Sequence, residues 1–119
     1  MAPRNALGRL RRDEEFRRVY RDGARRATTL VVLHALPNGL GTARLGIAVG
    51  GRFGPAVARN RLRRRLREAV RWHRARIDAG ADLVVVPRAA AAGAAYADLR
   101  DGVGAALEAA GLLDNASGQ

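Results

Sequence analysis

The stretch FGPAVARNRLRRRLREAVRWHRAR, residues 53–76, contains nine arginines and no lysine. Its small and aliphatic side chains recur every three or four positions, the spacing that places residues on one face of an α-helix. We therefore predict a helix from about Pro55 or Ala56 that packs along one apolar face and carries guanidinium groups over the rest of its surface. The residues of this predicted apolar face are Ala58, Leu62, Leu66, Ala69, Val70 and Ile77.

The segments on either side of this helix predict three strands and two further helices. Residues 28–36 and 82–88 are apolar and rich in β-branched side chains, and residues 43–49 alternate along their length, which is typical of strands. Acidic residues open a short helix at 13–23, and the apolar spacing at 96–111 predicts a last one. The predicted order is α-β-β-α-β-α, which we interpret as an α/β (α+β) two-layer sandwich with a small mixed sheet.

The whole chain, residues 1–119, is predicted to be a single domain with a basic N-terminal arm at 1–12 and a frayed C-terminal tail at 113–119. Its length and its 48% hydrophobic content suit one modest core. The absence of cysteine excludes disulfides and thiolate metal sites. No apolar run is long enough for a signal peptide or a membrane span, so a cytoplasmic location is expected.

The positive charge is concentrated in the first two thirds of the chain. All 22 basic residues are arginines, and the formal net charge is +11. Residues 1–76 hold 20 arginines and five acidic residues, whereas residues 77–119 hold two arginines and six acidic residues. This asymmetry predicts a polyanionic partner, such as a nucleic acid, for the first two thirds.

Several kinds of catalytic site are excluded by what the chain lacks. Without lysine there is no P-loop lysine and no Schiff base. His34 and His73 lie on different predicted elements without a metal-binding spacing, so no metal site is expected. His73 falls on the apolar face of the arginine helix and is predicted to be a core or boundary residue. Trp72 beside it is predicted to be partly buried, and no independent protein active site is expected.

One face of the second predicted strand offers space for a ligand. It carries Arg44, Gly46 and Ala48, and small side chains let another group approach the backbone closely. Phe16 and Tyr20, spaced i and i+4, share one face of the first helix. Two interpretations stay open at this point: the rings fill the core against the sheet, or they line a cleft where bases stack beside flanking arginines.

Residues 53–67 carry a motif that resembles the protein subunit of bacterial ribonuclease P. The family pattern is an apolar residue, an alanine, Arg-Asn-Arg, an aliphatic residue, two basic residues and an aliphatic-basic pair, and every part of it is present here. Asn60 makes the match specific, because neither charge nor amphipathicity requires a neutral residue inside a basic run. The similarity continues into RLRRDEEFRRVYRDG, RLGIAV and DLVVVPR, and so covers residues 7 to about 107.

The resemblance implies a mixed α/β fold with a left-handed β-α-β crossover around the arginine helix. It also implies an activity that belongs to a ribonucleoprotein. In that complex a catalytic RNA subunit removes the 5′ leader from precursor transfer RNA with magnesium ions, and the protein is the non-catalytic subunit of the endoribonuclease. Magnesium is then expected on the RNA subunit and the substrate rather than on this chain.

The resemblance also implies two sets of RNA-contacting residues. The arginine helix is expected to bind the catalytic RNA and the adjacent precursor, and a cleft between the sheet and the first helix is expected to bind the single-stranded leader. The expected helix residues are Arg59, Asn60, Arg61, Arg63, Arg64 and Arg67. The expected cleft residues are Phe16, Tyr20, His34, Arg44 and Arg52.

The chain departs from the family pattern at two cleft positions. Gly50-Gly51-Arg52 stands where the family commonly has Ser-Lys-Lys, so one cation is absent and Arg52 is expected to carry more of the binding. His34 stands where tyrosine is frequent, and imidazole stacks over a smaller area.

Two alternatives to the ribonuclease P function stay open at this point. One is a generic RNA-binding module such as a ribosomal protein, which explains the charge but not the motif around Asn60. The other is a helix that lies on an anionic membrane, and only Trp72 favours it.

Overall fold

The computed structural model describes residues 7–77 and 80–113, which form three α-helices around a five-stranded sheet. Short 3₁₀ helices lie at Gly51–Phe53, Arg74–Arg76 and Ala89–Gly93. The predicted α+β class, mixed sheet and three helices are confirmed. The strands are β1 (Leu7–Arg9), β2 (Ala24–Ala27), β3 (Val31–Pro37), β4 (Ala43–Ile47) and β5 (Ala81–Pro87), and the helices are α1 (Asp13–Asp22), α2 (Ala56–Trp72) and α3 (Tyr96–Ala109).

The sheet has the order β1-β4-β5-β3-β2, and two of its strands correct the prediction of three. β1 pairs in parallel with β4, and β2 pairs antiparallel with β3, so the missed strands are the two edges. Neither edge carries an apolar alternation: β1 is LGR, and all four residues of β2 are exposed. Their pairing is specified by the neighbouring strand rather than by a hydrophobic pattern of their own.

The predicted arm and tail are only partly covered by the structure. Residues 7–9 of the predicted arm belong to the sheet, and Leu113, at the start of the predicted tail, forms an isolated bridge with Ile77. Residues 1–6 and 114–119 lie outside the described part.

Helices pack on both faces of the sheet. α2 and α3 cover one face, where Leu66 and Val103 join Leu83 in the main core. α1 covers part of the other face, where Val19 packs with Val84 and Leu10. α1 therefore adds a partial layer to the predicted two-layer arrangement, and β5 is buried on both sides.

The parallel neighbours β4 and β5 are joined through α2, so the arginine helix is the helix of a β-α-β unit. Leu62, Leu66, Ala69 and Val70 are its buried residues, which confirms most of the predicted apolar face, while Ala58 is only half-buried. The left-handed sense of this crossover stays a prediction of the resemblance.

α1 begins and ends where its sequence directs. Three acidic residues occupy its first turn, where they interact favourably with the positive end of the helix dipole. Gly23 follows its last turn with an extended backbone, φ −83°. A Cβ atom there would lie 2.5 Å from the carbonyl oxygen of Val19 and 2.8 Å from that of Ala35, so only glycine lets the chain turn so close to β3.

Candidate nucleic-acid interface

The space that the small residues of β4 leave on the α1 face of the sheet is filled by Phe16. A Cβ atom at Gly46 would lie 2.5 Å from Cζ of Phe16, so the ring rests directly on the β4 backbone. Phe16 is half-buried and packs against the cluster of Leu10, Val19 and Val84. Of the two predicted roles for this ring, packing against the sheet is the one that these contacts describe.

Tyr20, one turn later, lies outside that packing. It is 42% exposed, and its ring meets the ring of His34 edge-on, with centroids 4.9 Å apart and planes at 85°. Two of the predicted cleft residues are therefore in contact with each other. The same sheet face continues towards the end of β5 with three residues that are only half-buried, Ala48, Val86 and Val32. This open, apolar part of the sheet lies where the sequence predicts the leader cleft.

The surroundings of His34 disfavour the protonated form of its ring. Burial lowers its pKa, and the guanidinium of Arg25, on the paired residue of β2, lowers it further. Its Nδ1 is buried and has no hydrogen-bond partner among residues 7–77 and 80–113. Buried polar atoms are usually satisfied, so this nitrogen is an unused hydrogen-bonding group beside the cleft.

Arg44, another predicted cleft residue, is committed to a buried carboxylate. Its Nε donates to Oδ1 of Asp82 and its Nη2 to Oδ2, both at 2.8 Å. Asn38 and Arg18 donate to the same carboxylate, at 2.8 Å and 3.1 Å. Asp82 is fully buried, so the charge of Arg44 is paired within the fold, and the leader contact at Arg44 stays a prediction.

This ion-pair network, made of Asp82, Arg44, Arg18, Asn38 and Glu15, ties α1 to the sheet. Oε2 of Glu15 accepts from Arg44 at 3.3 Å, while its Oε1 accepts from the backbone N–H groups of the two residues that precede α1. Those backbone bonds hold the pKa of Glu15 below its ordinary value. Burial alone would raise the pKa of Asp82, but the hydrogen bonds from Arg44, Asn38 and Arg18 outweigh it and keep the pKa low.

Sequence reasoning missed this network, although one signal was present. Asp82 is the only acidic residue in the run DLVVVPR, which reads as a central strand. A carboxylate on a strand buried on both sides needs a cationic partner, and that requirement would have placed an arginine against it. Which arginine becomes the partner depends on the register between β4 and β5, and this register places Arg44 opposite Asp82.

The predicted helix residues occupy the solvent side of α2. Arg61, Arg64 and Asn60 are exposed, whereas Arg59, Arg63 and Arg67 are half-buried. Arg59 donates to the carbonyl of Gly54 at 3.2 Å, and Arg63 donates to Oδ1 of Asn60 at 2.7 Å. The neutral residue of the motif thus orients a neighbouring guanidinium.

No carboxylate in the described part of the chain pairs with Arg61, Arg64, Arg67 or Arg71. Burial lowers the pKa of Arg67, and its neighbours Arg9, Arg71 and Arg63 lower it further. β1 thus adds Arg9 to the basic surface of α2. Like charges held together without counter-charges form an anion-binding surface.

Arg52 lies apart from the other predicted cleft residues. It is exposed in the 3₁₀ helix between β4 and α2, with its guanidinium carbon 5.0 Å from the centroid of the Phe53 ring. No contact joins it to Phe16, Tyr20 or His34 within the described residues. It therefore stands between the cleft and the arginine helix.

The end of α2 gives one confirmation and one correction. His73 is half-buried, as predicted for a boundary residue, and its Nε2 donates to the carbonyl of Arg100 at 2.9 Å. Trp72 is 63% exposed, so the prediction of a partly buried tryptophan is wrong. Successive residues of a helix are rotated by about 100°. Trp72 therefore does not share the contact that His73 makes with α3.

Within the described ranges, no group of three His, Asp or Glu side chains is placed to hold a metal ion. No described helix is long and apolar enough to cross a membrane.

A small α+β fold whose arginine helix lacks carboxylate partners among the described residues has the charge distribution typical of nucleic-acid-binding proteins. The chain belongs to the Ribonuclease P family, whose model matches residues 5–111, and so to the RNA-binding protein subunits of a transfer-RNA-processing nuclease. The resemblance drawn from residues 53–67 is confirmed.

Relatives and solved structures agree on this family. The Ribonuclease P protein component of Roseiflexus castenholzii is 41% identical over 109 residues, covering 91% of this chain and 89% of its own. That of Symbiobacterium thermophilum is 42% identical over 106 residues, covering 88% and 92%. The RNase P protein of Staphylococcus aureus superposes with a TM-score of 0.81 at 28% identity, covering 89% and 97%. That of Thermotoga maritima superposes with a TM-score of 0.79 at 30% identity, covering 85% and 96%.

Proposed function

We propose that the chain assists a catalytic RNA subunit in removing the 5′ leader from precursor transfer RNA. Family membership supports the reaction, and the unpaired arginines of α2 are the observation that carries the RNA-binding role. A generic ribosomal-type module would share the charge but not the family match over residues 5–111.

The arginine helix is the proposed surface for the RNA subunit and the adjacent precursor. Arg61 and Arg64 are exposed and free of carboxylate partners within the described part, so they exchange solvent counterions for phosphates at little cost. Arg59 and Arg63 are already oriented by hydrogen bonds, which reduces the entropy lost on binding. The full proposed set is Arg59, Asn60, Arg61, Arg63, Arg64 and Arg67.

The cleft on the α1 face is the proposed site for the single-stranded leader. Tyr20 offers an exposed ring, His34 a half-buried ring in edge-on contact with it, and Ala48 part of a small apolar floor. Stacking on aromatic rings accepts any base, as a protein that meets many leader sequences requires. The cleft and α2 lie on opposite faces of the sheet, with Arg52 in the segment that connects them.

Magnesium is proposed to be held by the RNA subunit and the substrate. The best-formed carboxylate site of the described residues, Asp82, already accepts four hydrogen bonds from Arg44, Asn38 and Arg18. A cation would have to displace guanidinium groups from a fully buried position, which would break the contact between α1 and the sheet.

Reconstitution with a bacterial ribonuclease P RNA tests this function. At a magnesium concentration where the RNA alone cleaves slowly, adding the purified protein is expected to increase the rate of leader removal. The protein alone is expected to leave the precursor intact. A charge-matched basic protein of unrelated fold is the control for non-specific neutralisation of RNA.

Two outcomes contradict the proposal. Cleavage of the precursor by the protein without RNA would place an active site on this chain. Stimulation no greater than that given by the unrelated basic protein would reduce the role of the chain to that of a polycation.

A further inference from the structure

Among the described residues, Trp72 is the one strongly exposed aromatic side chain that the proposed function leaves unused. It ends α2 with 63% of its surface exposed, although burying an indole is usually worth more than burying any other side chain. An indole left in solvent on a basic surface indicates a partner that supplies the missing contact.

One face of the indole is already occupied by a cation. The guanidinium carbon of Arg100, from α3, lies 4.8 Å from the ring centroid, and Nε of Arg100 donates to Asp101 at 3.3 Å. No second ring or cation contact to Trp72 is made by a residue of the described ranges. The side chain is thus stacked on one side and open on the other.

The platform is rigid because the end of α2 is fixed to α3. The hydrogen bond from His73 to the carbonyl of Arg100 joins the two helices beside the indole. A Cβ atom at Gly104 would lie 2.7 Å from Cε1 of His73, so the imidazole rests on the α3 backbone. A ring held by packed helices loses little conformational entropy when a ligand stacks on it.

The isolation of the ring from other exposed apolar side chains of α2 favours RNA over a membrane. Arg71 and Arg74 are exposed, and Glu68 is the only acidic residue in the α2 sequence. The other strongly exposed apolar residue of α2, Val57, lies fifteen positions earlier, about 22 Å along the axis. A lone indole among guanidinium groups has no apolar patch with which to enter a bilayer, but it matches a flat base flanked by phosphates.

We propose that Trp72 is a stacking platform for an unpaired nucleotide of the ribonuclease P RNA, with Arg71 and Arg74 on the neighbouring phosphates. The base completes a stack in which the indole lies between it and Arg100. This inference rests on the proposed binding of α2 to the RNA subunit and extends that surface to the C-terminal end of the helix.

Trp72 is the only tryptophan in the chain, so its fluorescence reports on the site directly. The protein is titrated with a bacterial ribonuclease P RNA, while a gel-shift assay follows complex formation independently. Stacking is expected to quench the emission and to lower the acrylamide quenching constant at least about twofold. A short leader oligonucleotide and anionic phosphatidylserine vesicles are the comparison ligands.

Substitutions separate stacking from simple apolar contact. Trp72→Ala is expected to weaken binding of the RNA subunit by about 5- to 150-fold, the factor that corresponds to ~1 to 3 kcal/mol per stacked base. Trp72→Phe should recover part of that loss and Trp72→Leu much less. Leu40→Ala, which removes an exposed apolar side chain from the turn before β4, is the matched control.

The outcomes distinguish the Trp72 site from the proposed function on which it rests. A gel-shifted complex with unchanged emission and acrylamide access overturns the Trp72 site and leaves the proposed function standing. Failure to form any complex overturns both. A signal only with the leader oligonucleotide, or only with vesicles, rejects the RNA subunit as the occupant. Equal binding by the Phe and Leu variants rejects stacking.

Discussion

The arginines around Asp82 and those on α2 are chemically identical, but their surroundings differ. Arg44 and Arg18 donate to a fully buried carboxylate, and Arg44 also reaches Glu15. Arg61 and Arg64 face solvent with no carboxylate partner within residues 7–77 and 80–113. The first pair holds the fold together, whereas the second has charge available for a ligand.

We infer from this difference that the pairing of an arginine is a better guide to RNA binding than its position. The sequence predicts that Arg44 contacts the leader, whereas in the structure its charge is neutralised by ion pairs within the fold. A buried carboxylate that loses its partners is costly, so Arg44 cannot turn to a phosphate without destabilising α1. Substitutions in the two groups test this division between structural and ligand-binding arginines.

The largest expected effect is the loss of stability when the buried carboxylate of Asp82 is removed. Asp82→Ala leaves Arg44 and Arg18 without their shared carboxylate and should lower the free energy of unfolding by about 3 to 5 kcal/mol. Urea denaturation monitored by circular dichroism measures it. Asp101→Ala breaks an exposed pair with Arg100 and should cost no more than about 1 kcal/mol. Similar losses in the two variants would remove the basis for calling the network structural.

The same network predicts how stability depends on pH. The pKa of Asp82 and that of Glu15 are lower in the folded chain than their ordinary values, so the folded state binds fewer protons than the unfolded state. Their stabilisation is present at neutral pH and is lost as pH falls below about 5 and through the folded-state pKa values.

Comparison with Asp82→Asn isolates the contribution of that carboxylate. The difference in unfolding free energy between the wild-type chain and this variant should shrink steadily during acidification, because protonation makes the two side chains alike in charge. A difference that stays constant from neutral to acidic pH would show that the charge of Asp82 does not stabilise the fold.

Tyr20 and Phe16 provide a smaller test on the α1 face. Tyr20→Ala should weaken holoenzyme binding of precursor transfer RNA by ~1 to 3 kcal/mol, the value of one stacked base, and leave mature transfer RNA binding unchanged. Its melting temperature should hardly move, because the ring is 42% exposed. Phe16→Ala should instead lower the melting temperature, since its ring rests on Gly46. If Tyr20→Ala weakened the binding of precursor and mature transfer RNA equally, Tyr20 would have a packing role rather than a leader-binding one.

Much of the fold was predictable because its central elements carry strong patterns. The apolar face of α2 and the β-branched runs of β3 and β5 each specify a buried surface. β1 and β2 carry none, because edge strands are paired by neighbours that lie far away in sequence. The small residues of β4 predict open space on that face of the sheet. Whether Phe16 or a ligand fills the space above Gly46 depends on the path of α1, which the sequence does not specify.

The smallest expected effect compares one arginine from each group at equal change in charge. Arg64→Gln and Arg44→Gln each remove one positive charge, and both are measured for binding to the ribonuclease P RNA over a range of salt concentrations at which both remain folded. Each phosphate contact contributes ~0.7 to 0.9 to the slope of log K against log salt, so Arg64→Gln should reduce the slope by about that amount. Arg44→Gln should leave the slope unchanged and lower the free energy of unfolding instead, because its charge is spent on Asp82. If the two variants change the slope equally, the distant field of the whole protein governs binding, and the distinction between paired and unpaired arginines fails.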